Sequence, residues 1–420
     1  MAADLEKCDF FGHFIDDREN DSALNHILKR LGKSHQTYSE FHGQVCLAIC
    51  IIGIIGNIIN IVVLSESRMR NSVNVVLTGL AVSDLITMSS YMIFASAFYI
   101  AHDEPYTYSW MVFIQLHQLL TGIFHSVSLW LSAIVAFVRY MILKQHGTQS
   151  VWQQIDKARL LVIVVTVVVG ILCVPFPIVY QIQSFRNGNL TMWTTDLSEA
   201  ALENDCLLLR VTVWTHGIVL KLIPCFLLMA LISCLICILK KAEKRSQRLL
   251  SKSKTSQRRS DRTTLLLLAV VSTTLLTEIP QSIVSILFGL YPSDVAQKVY
   301  PKTVNFIDLF GLSNSAINFF FYCFMSTKYR QTFWSIVLPA SIYERWYLED
   351  AEYREESRVL LHRNSGSTLT ASRISRSPVM NRDGSKRHSS LRQLPASKKP
   401  TSTLLPMNHV PKVSGTDQSK

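Results

Sequence analysis

Seven stretches of this chain are each long and apolar enough to cross a lipid bilayer as a helix, and nothing else in the sequence constrains the fold as strongly. Crossing about 30 Å of hydrocarbon takes roughly 20 apolar residues at the helical rise. Runs of that kind lie near 43–65, 74–101, 110–142, 158–182, 210–240, 262–290 and 303–325. The fourth, Leu160 to Tyr180, is nearly pure Val, Ile and Leu. A segment in lipid must satisfy its own backbone hydrogen bonds, which leaves helices for runs of this length. The expected fold class is therefore an all-α membrane protein, a seven-transmembrane helix bundle embedded in the lipid bilayer. A net charge of +12 over 420 residues is too dilute and too unevenly placed for a nucleic-acid binder, so no nucleic acid is expected as a partner.

The placement of that charge sets the orientation, because Lys and Arg concentrate in short cytosolic loops. They crowd the segment from Lys240 to Arg262 and recur at Arg68, Arg70, Lys144, Lys157 and Arg159. On the opposite side, residues 101–109 and 187–205 carry Asp103, Glu104, Asp196, Glu199, Glu203 and Asp205 without Lys or Arg. The chain reads as a multi-pass plasma-membrane protein with its N-terminus extracellular and its C-terminus cytosolic. Glycosylation sequons at Asn20 and Asn189 both fall on the outer side of this arrangement. Met1 to Phe10 has neither a basic n-region nor an apolar h-region, so the first span is expected to act as the targeting signal. The organisation is then an extracellular N-tail (1–42), the bundle (43–325), an amphipathic membrane-surface helix (326–338) and a disordered cytosolic tail (339–420). In the surface helix Tyr329, Phe333 and Val337 share one face. The tail is rich in Ser, Thr, Lys, Arg and Pro and poor in apolar residues.

Several spans contain groups that lipid does not tolerate singly. A charge at mid-membrane costs about 2.5–3.5 kcal/mol on the mildest scale, so such residues face a bundle interior. Asp84, His125, Lys221, Glu278 and Asp308 are of this kind. Glu278 stands in Thr277-Glu278-Ile279-Pro280-Gln281, where the proline removes a backbone hydrogen bond and bends the helix beside the charge.

These features together resemble the rhodopsin-like G-protein-coupled receptors. The motifs are Gly56-Asn57, Leu80-Ala81-Val82-Ser83-Asp84, Val138-Arg139-Tyr140, Pro224, Pro280 and Asn318-Phe319-Phe320-Phe321-Tyr322, in the family's order over residues 43–338. Some positions depart from the common pattern. Val138 replaces an acid, Glu278 a tryptophan, Ile114 a disulfide cysteine, and Phe319 a proline. With Ser128-Leu129-Trp130-Leu131 and Lys221-Leu222-Ile223-Pro224-Cys225, they resemble the invertebrate myosuppressin receptors and the nematode receptors for FMRFamide-like peptides.

The resemblance implies roles. Asp84 with Ser128, Asn314, Ser315 and Asn318 matches the family's sodium site, an ion acting as an allosteric modulator and the one candidate for a bound cofactor. Arg139, Tyr140, Pro280, Asn318 and Tyr322 match the positions for G-protein coupling and activation. Gln118, Thr121, His125, Lys221, Glu278, Gln281 and Asp308 line the expected ligand cavity. In this fold Lys221 and Glu278 lie at one depth, and a buried pair between them is expected. Cys206, lacking a partner at 114, is either free or bonded to Cys8. An amine receptor carries an aspartate at the position of Thr121 and a light receptor a lysine at Leu312, so neither chemistry is expected.

What remains is not an enzyme but a receptor for a short amidated extracellular peptide that promotes nucleotide exchange on a heterotrimeric G protein, of the inhibitory class in the relatives. A transporter would also bury charges at mid-membrane, but internal repeats and matching broken helices are absent from the sequence. The Ser/Thr sites of the tail, Ser365 to Thr403, lie among basic residues and suit receptor kinases and arrestin.

Overall fold

The computed structural model describes residues 5–9, 23–101, 107–145, 151–188, 190–249, 254–325, 327–339 and 342. Among them seven long helices form the bundle. These are α1 (Ala23–Ser65), α2 (Ser72–Ala95), α3 (Tyr108–Lys144), α4 (Ile155–Cys173), α5, α6 (Lys254–Leu290) and α7 (Tyr300–Met325). Helix α5 is built of three consecutive pieces, Glu199–Trp214, Thr215–Leu222 and Ile223–Leu249. A short helix α8 (Thr327–Val337) follows the bundle. Strands β1 (Tyr180–Asn187) and β2 (Leu190–Leu197) make an antiparallel hairpin between α4 and α5, with Tyr180 opposite Leu197.

Helices α1 to α6 are each long and apolar enough to cross a membrane. The seventh is more polar, carrying Asn305, Asp308, Asn314 and Asn318, and it packs on α1 and α6. The burial pattern is that of a protein whose solvent is lipid. Ile51, Ile55, Ile58 and Val62 of α1 and Ile163, Val167 and Ile171 of α4 point outward, while Asn57, Asp84 and Glu278 are fully buried. A row of aliphatic side chains facing water would be unfavourable, and a buried carboxylate facing hydrocarbon more so. Helix α3 runs through the middle and touches α2, α4 and α5. Val76 and Leu80 of α2, Val127 and Leu131 of α3, Val169 of α4 and Leu220 of α5 form one core there. Helix α1 approaches α2 closely at Gly53, where a Cβ would run into Met88.

Three boundaries differ from the sequence expectation, each for a local reason. Helix α1 starts at Ala23, twenty residues before the apolar run, so much of the expected N-tail is helix. Leu24, Ile27, Leu28 and Leu31 have helical spacing without the density of a span, and Leu28 buries itself against Val295 and Val299. The fourth span ends at Val179 rather than 182, because Tyr180 opens the hairpin. The turn of that hairpin includes Gly188 at φ 62°, a left-handed conformation that suits glycine.

The third boundary is the start of span five, expected at 210. Glu199–Trp214 is interrupted at Glu203, Asn204, Asp205 and Cys206, the last three with φ of 49°, 55° and 57°. Asn and Asp tolerate this region, whereas a cysteine there is held against its preference. What holds it is a disulfide to Cys8, with the two Cα atoms 5.6 Å apart. Leu5 and Cys8 are buried beside Val179, Leu197, Ala201 and Leu209. The segment is also tied by Arg210 Nη2 to the Cys8 carbonyl at 3.4 Å, and by the Ser293 amide to Asp9 Oδ1 at 3.1 Å.

In α8, Tyr329 is almost fully buried and donates its hydroxyl to Asn60 Oδ1 of α1 at 2.7 Å. Phe333 joins the same cluster, while Val337, expected on that face, is exposed. The expected disordered tail from 343 onward and the sequons Asn20 and Asn189 lie outside the described residues.

Candidate functional site at the centre of the bundle

Glu278 of α6 gathers side chains from three other helices. His125 of α3 places Nε2 3.0 Å from Oε1, Lys221 of α5 places Nζ 3.7 Å from Oε2, and Asn314 of α7 donates Nδ2 to Oε1 at 3.4 Å. Lys221 is brought inward by the wide π-type turn Thr215–Leu222, which ends one residue before Ile223-Pro224. Pro224 cannot donate a backbone bond and its ring crowds the carbonyl four residues back, and widening the preceding turn relieves both. Lys221 also donates to Gln281 Oε1, and Gln281 Nε2 donates to the Ile307 carbonyl of α7 at 3.0 Å. Gly311 makes room for this cluster, since a Cβ there would lie 3.3 Å from Gln281 Nε2 and 3.7 Å from His125 Cε1. The expected Lys221–Glu278 pair is thus part of a larger knot in which His125 is the nearer partner.

Asp308 lies in a second polar network, on α7, α2 and α1. The Tyr91 hydroxyl donates to Asp308 Oδ2 at 3.0 Å, His42 Nε2 lies 3.1 Å from that hydroxyl, and the Tyr38 hydroxyl lies 3.1 Å from His42 Nδ1. A phenol has one proton, so donation to Asp308 fixes the rest. His42 carries its proton on Nε2 and gives it to Tyr91, and Tyr38 donates to Nδ1. Every proton in the chain points toward the carboxylate. The remaining members of the expected cavity do not join either network. Thr121 Oγ1 bonds the His117 carbonyl of its own helix at 2.8 Å, and Gln118 is exposed.

Deeper in the bundle, Asp84 accepts from Ser128 Oγ at 2.7 Å and from Asn318 Nδ2 at 2.9 Å, and Ser315 lies within electrostatic reach of it. One carboxylate among hydroxyl oxygens is a donor set that a hard cation accepts. Asn314, expected in the same shell, turns instead to Glu278 and Thr274. Ser128, Ser315 and Asp84 fit a sodium ion in kind, and Asn318 would have to present its amide oxygen.

Sequence comparison identifies this architecture. The profile of the family described as serpentine type 7TM GPCR chemoreceptor Srw matches residues 44–339. The chain belongs to this receptor family. It is a multi-pass membrane G-protein-coupled receptor, not an enzyme. It is similar to "G-protein coupled receptor dmsr-1" of Caenorhabditis elegans, at 30% identity over 73% of this chain and 69% of that protein. It is also similar to the "Sex peptide receptor" of Drosophila melanogaster, at 25% identity over 71% and 72% of the two chains. A third relative is the "FMRFamide receptor" of the same fly, at 24% identity over 69% of this chain and 52% of that one.

At the α8 end of the receptor, Arg139 is half-buried and lies within electrostatic reach of Tyr322. Its neighbour Tyr140 packs among Leu228, Ile232 and Leu235 of α5, with the Lys144 ammonium 5.5 Å from its ring centre. Val138 is buried and offers no acid to hold the guanidinium. Pro280 sits inside α6 two residues beyond Glu278, so the helix lacks a backbone bond beside its buried charge.

The residues that sequence reasoning missed are Tyr38, His42 and Tyr91, which position Asp308, and Asn60, which receives Tyr329. An aromatic in an apolar run looks like core packing, and only the polar tip, usable once a partner is known, separates the two.

Proposed function

We propose that this receptor is activated by a short amidated neuropeptide of the FMRFamide-like or myosuppressin-like kind and works in the rhodopsin-like (class A) manner. The peptide binds from the hairpin end, taken as extracellular, and promotes nucleotide exchange on a G protein, of the inhibitory class, at the α8 end. The observation that carries this reading is the meeting of His125, Lys221, Glu278 and Gln281, with Asp308 in a second polar network, a polar floor suited to a charged peptide. The names of the relatives support it, as does Thr121, whose position lacks the acid that an amine needs. Gln118 and Thr121 complete the lining.

The mechanism is a population shift. A peptide that binds better to the conformer with the α8 ends of α5 and α6 apart stabilises that conformer by its differential affinity. Pro280 supplies the bend, and opening exposes Arg139 and Tyr140 to the G protein, with Asn318 and Tyr322 relaying the change from α7. Sodium held by Asp84, Ser128, Ser315 and Asn318 would favour the closed conformer. Receptor kinases and arrestin act on the tail.

A panel of amidated FMRFamide-like peptides on cells expressing the chain, read by nucleotide exchange, tests the proposal. Peptide-dependent exchange at nanomolar to micromolar concentration supports it. Silence across the panel would overturn the peptide reading and leave a receptor of this family for another ligand. Antibody access to N-terminal and C-terminal tags on intact cells tests the orientation.

A further inference from the structure

Two carboxylates stand in the upper half of this bundle, and only one of them is neutralised from within. Glu278 is fully buried, with His125, Lys221 and Asn314 on it. Asp308 is half-buried and accepts from Tyr91, and among the described residues it forms no ion pair with a Lys, Arg or His. Lys221 influences it electrostatically, but that ammonium is bonded to Gln281 and sits beside Glu278. A carboxylate without a counter-charge inside a membrane bundle is costly, and such residues mark places where a cation arrives.

The surroundings of Asp308 are aromatic. Tyr91 bonds it, the rings of Tyr38 and Tyr99 pack edge-on against His42 at 5.2 and 5.1 Å between ring centres, and Tyr38 stacks on Phe306 at 5.3 Å. Ring faces attract cations, and several together form the cages that recognise them. A guanidinium suits such a place better than an ammonium, because it stacks flat on a ring while donating two parallel N–H groups to one carboxylate. The proton chain from Tyr38 through His42 to Tyr91 takes one lone pair of Oδ2 and leaves the other, with Oδ1, for that fork.

We propose that Asp308, bonded by Tyr91 with the Tyr38 and Tyr99 rings packed on His42 behind it, is the subsite for a planar cation, the guanidinium of an arginine in the ligand, and that Glu278 takes no ligand charge. This rests on the peptide reading above, and its test separates the two. Purified receptor in detergent is titrated with N-acetyl-arginyl-phenylalanine amide and with the neutral citrulline counterpart, and binding is followed by the shift in melting temperature. The wild type should respond to the arginine probe at a concentration about tenfold or more below that for the citrulline probe. Asp308→Asn, which keeps an acceptor for Tyr91, should lose that preference, and Asp308→Glu should keep most of it. Tyr99→Leu should weaken the arginine probe several-fold and leave the citrulline probe unchanged, which decides the matter if Asp308→Asn does not fold. An arginine preference that survives in Asp308→Asn, or none in the wild type, overturns the subsite. A peptide panel without exchange activity, beside an Asp308-dependent preference for the probe, would overturn the receptor's peptide reading alone.

Discussion

Glu278 draws partners from α3, α5 and α7, so the loss of either side of its contacts is felt unequally. Removing one member of a buried ion pair costs about 3–5 kcal/mol, because it strands the other charge. Glu278→Gln strands Lys221 and leaves His125 and Asn314 a single neutral amide oxygen to share, and should lower the melting temperature in detergent most. Lys221→Met leaves Glu278 with His125 and should cost less, and the double mutant should recover part of the Glu278→Gln loss. Strictly additive effects would show that the two side chains do not couple. Gly311→Ala is a second probe, since its methyl would press on Gln281 and come into ordinary contact with His125. We expect agonist potency to fall with little change in surface expression, and equal losses in both would mark a packing defect. The charges were legible in the sequence as charges, because lipid makes every intramembrane ion conspicuous. Their partners were less so: the Lys221–Glu278 contact was expected, but His125 on Glu278 and Tyr91 on Asp308 depend on helix rotation, which a residue list does not specify.

Helix α5 shows how far an element can be read without coordinates. Its apolar run fixed a span through 210–240, and Pro224 marked an irregularity, but the wide turn that aims Lys221 inward and the break at Glu203–Cys206 are tertiary effects. The hairpin was missed for another reason. The alternation from Tyr180 to Gln183 and the Gly188-Asn189 pair are strand and turn signals, but they adjoin a nearly pure aliphatic helix that masks where it stops. The break at α5 can be tested directly. Asp205 has φ 55°, so Asp205→Val should destabilise by about 1–2 kcal/mol, while Asp205→Gly should be neutral or slightly stabilising. Melting curves of the two variants giving equal losses would remove the left-handed conformation as a constraint on this turn.

At the scale of the whole molecule, six spans follow from hydropathy, since lipid favours a helix for a long apolar run, and the more polar seventh packs on α1 and α6. The tail beyond the bundle is a matter of composition, and its role is tested by removal. Truncation after Ala340 should abolish arrestin recruitment and slow internalisation while leaving the peak of peptide-driven exchange intact; unchanged desensitisation would make the tail a solvated linker. One further consequence concerns connectivity. The bond between Cys8 and Cys206 joins positions 198 residues apart, so the first four spans lie within a closed covalent ring and the last three hang from it as an open strand. A protease that cuts any connection between spans one and four should therefore leave a single full-mass chain on a gel until a reductant is added. A cut between α5 and α6 should release two fragments at once, reductant or none.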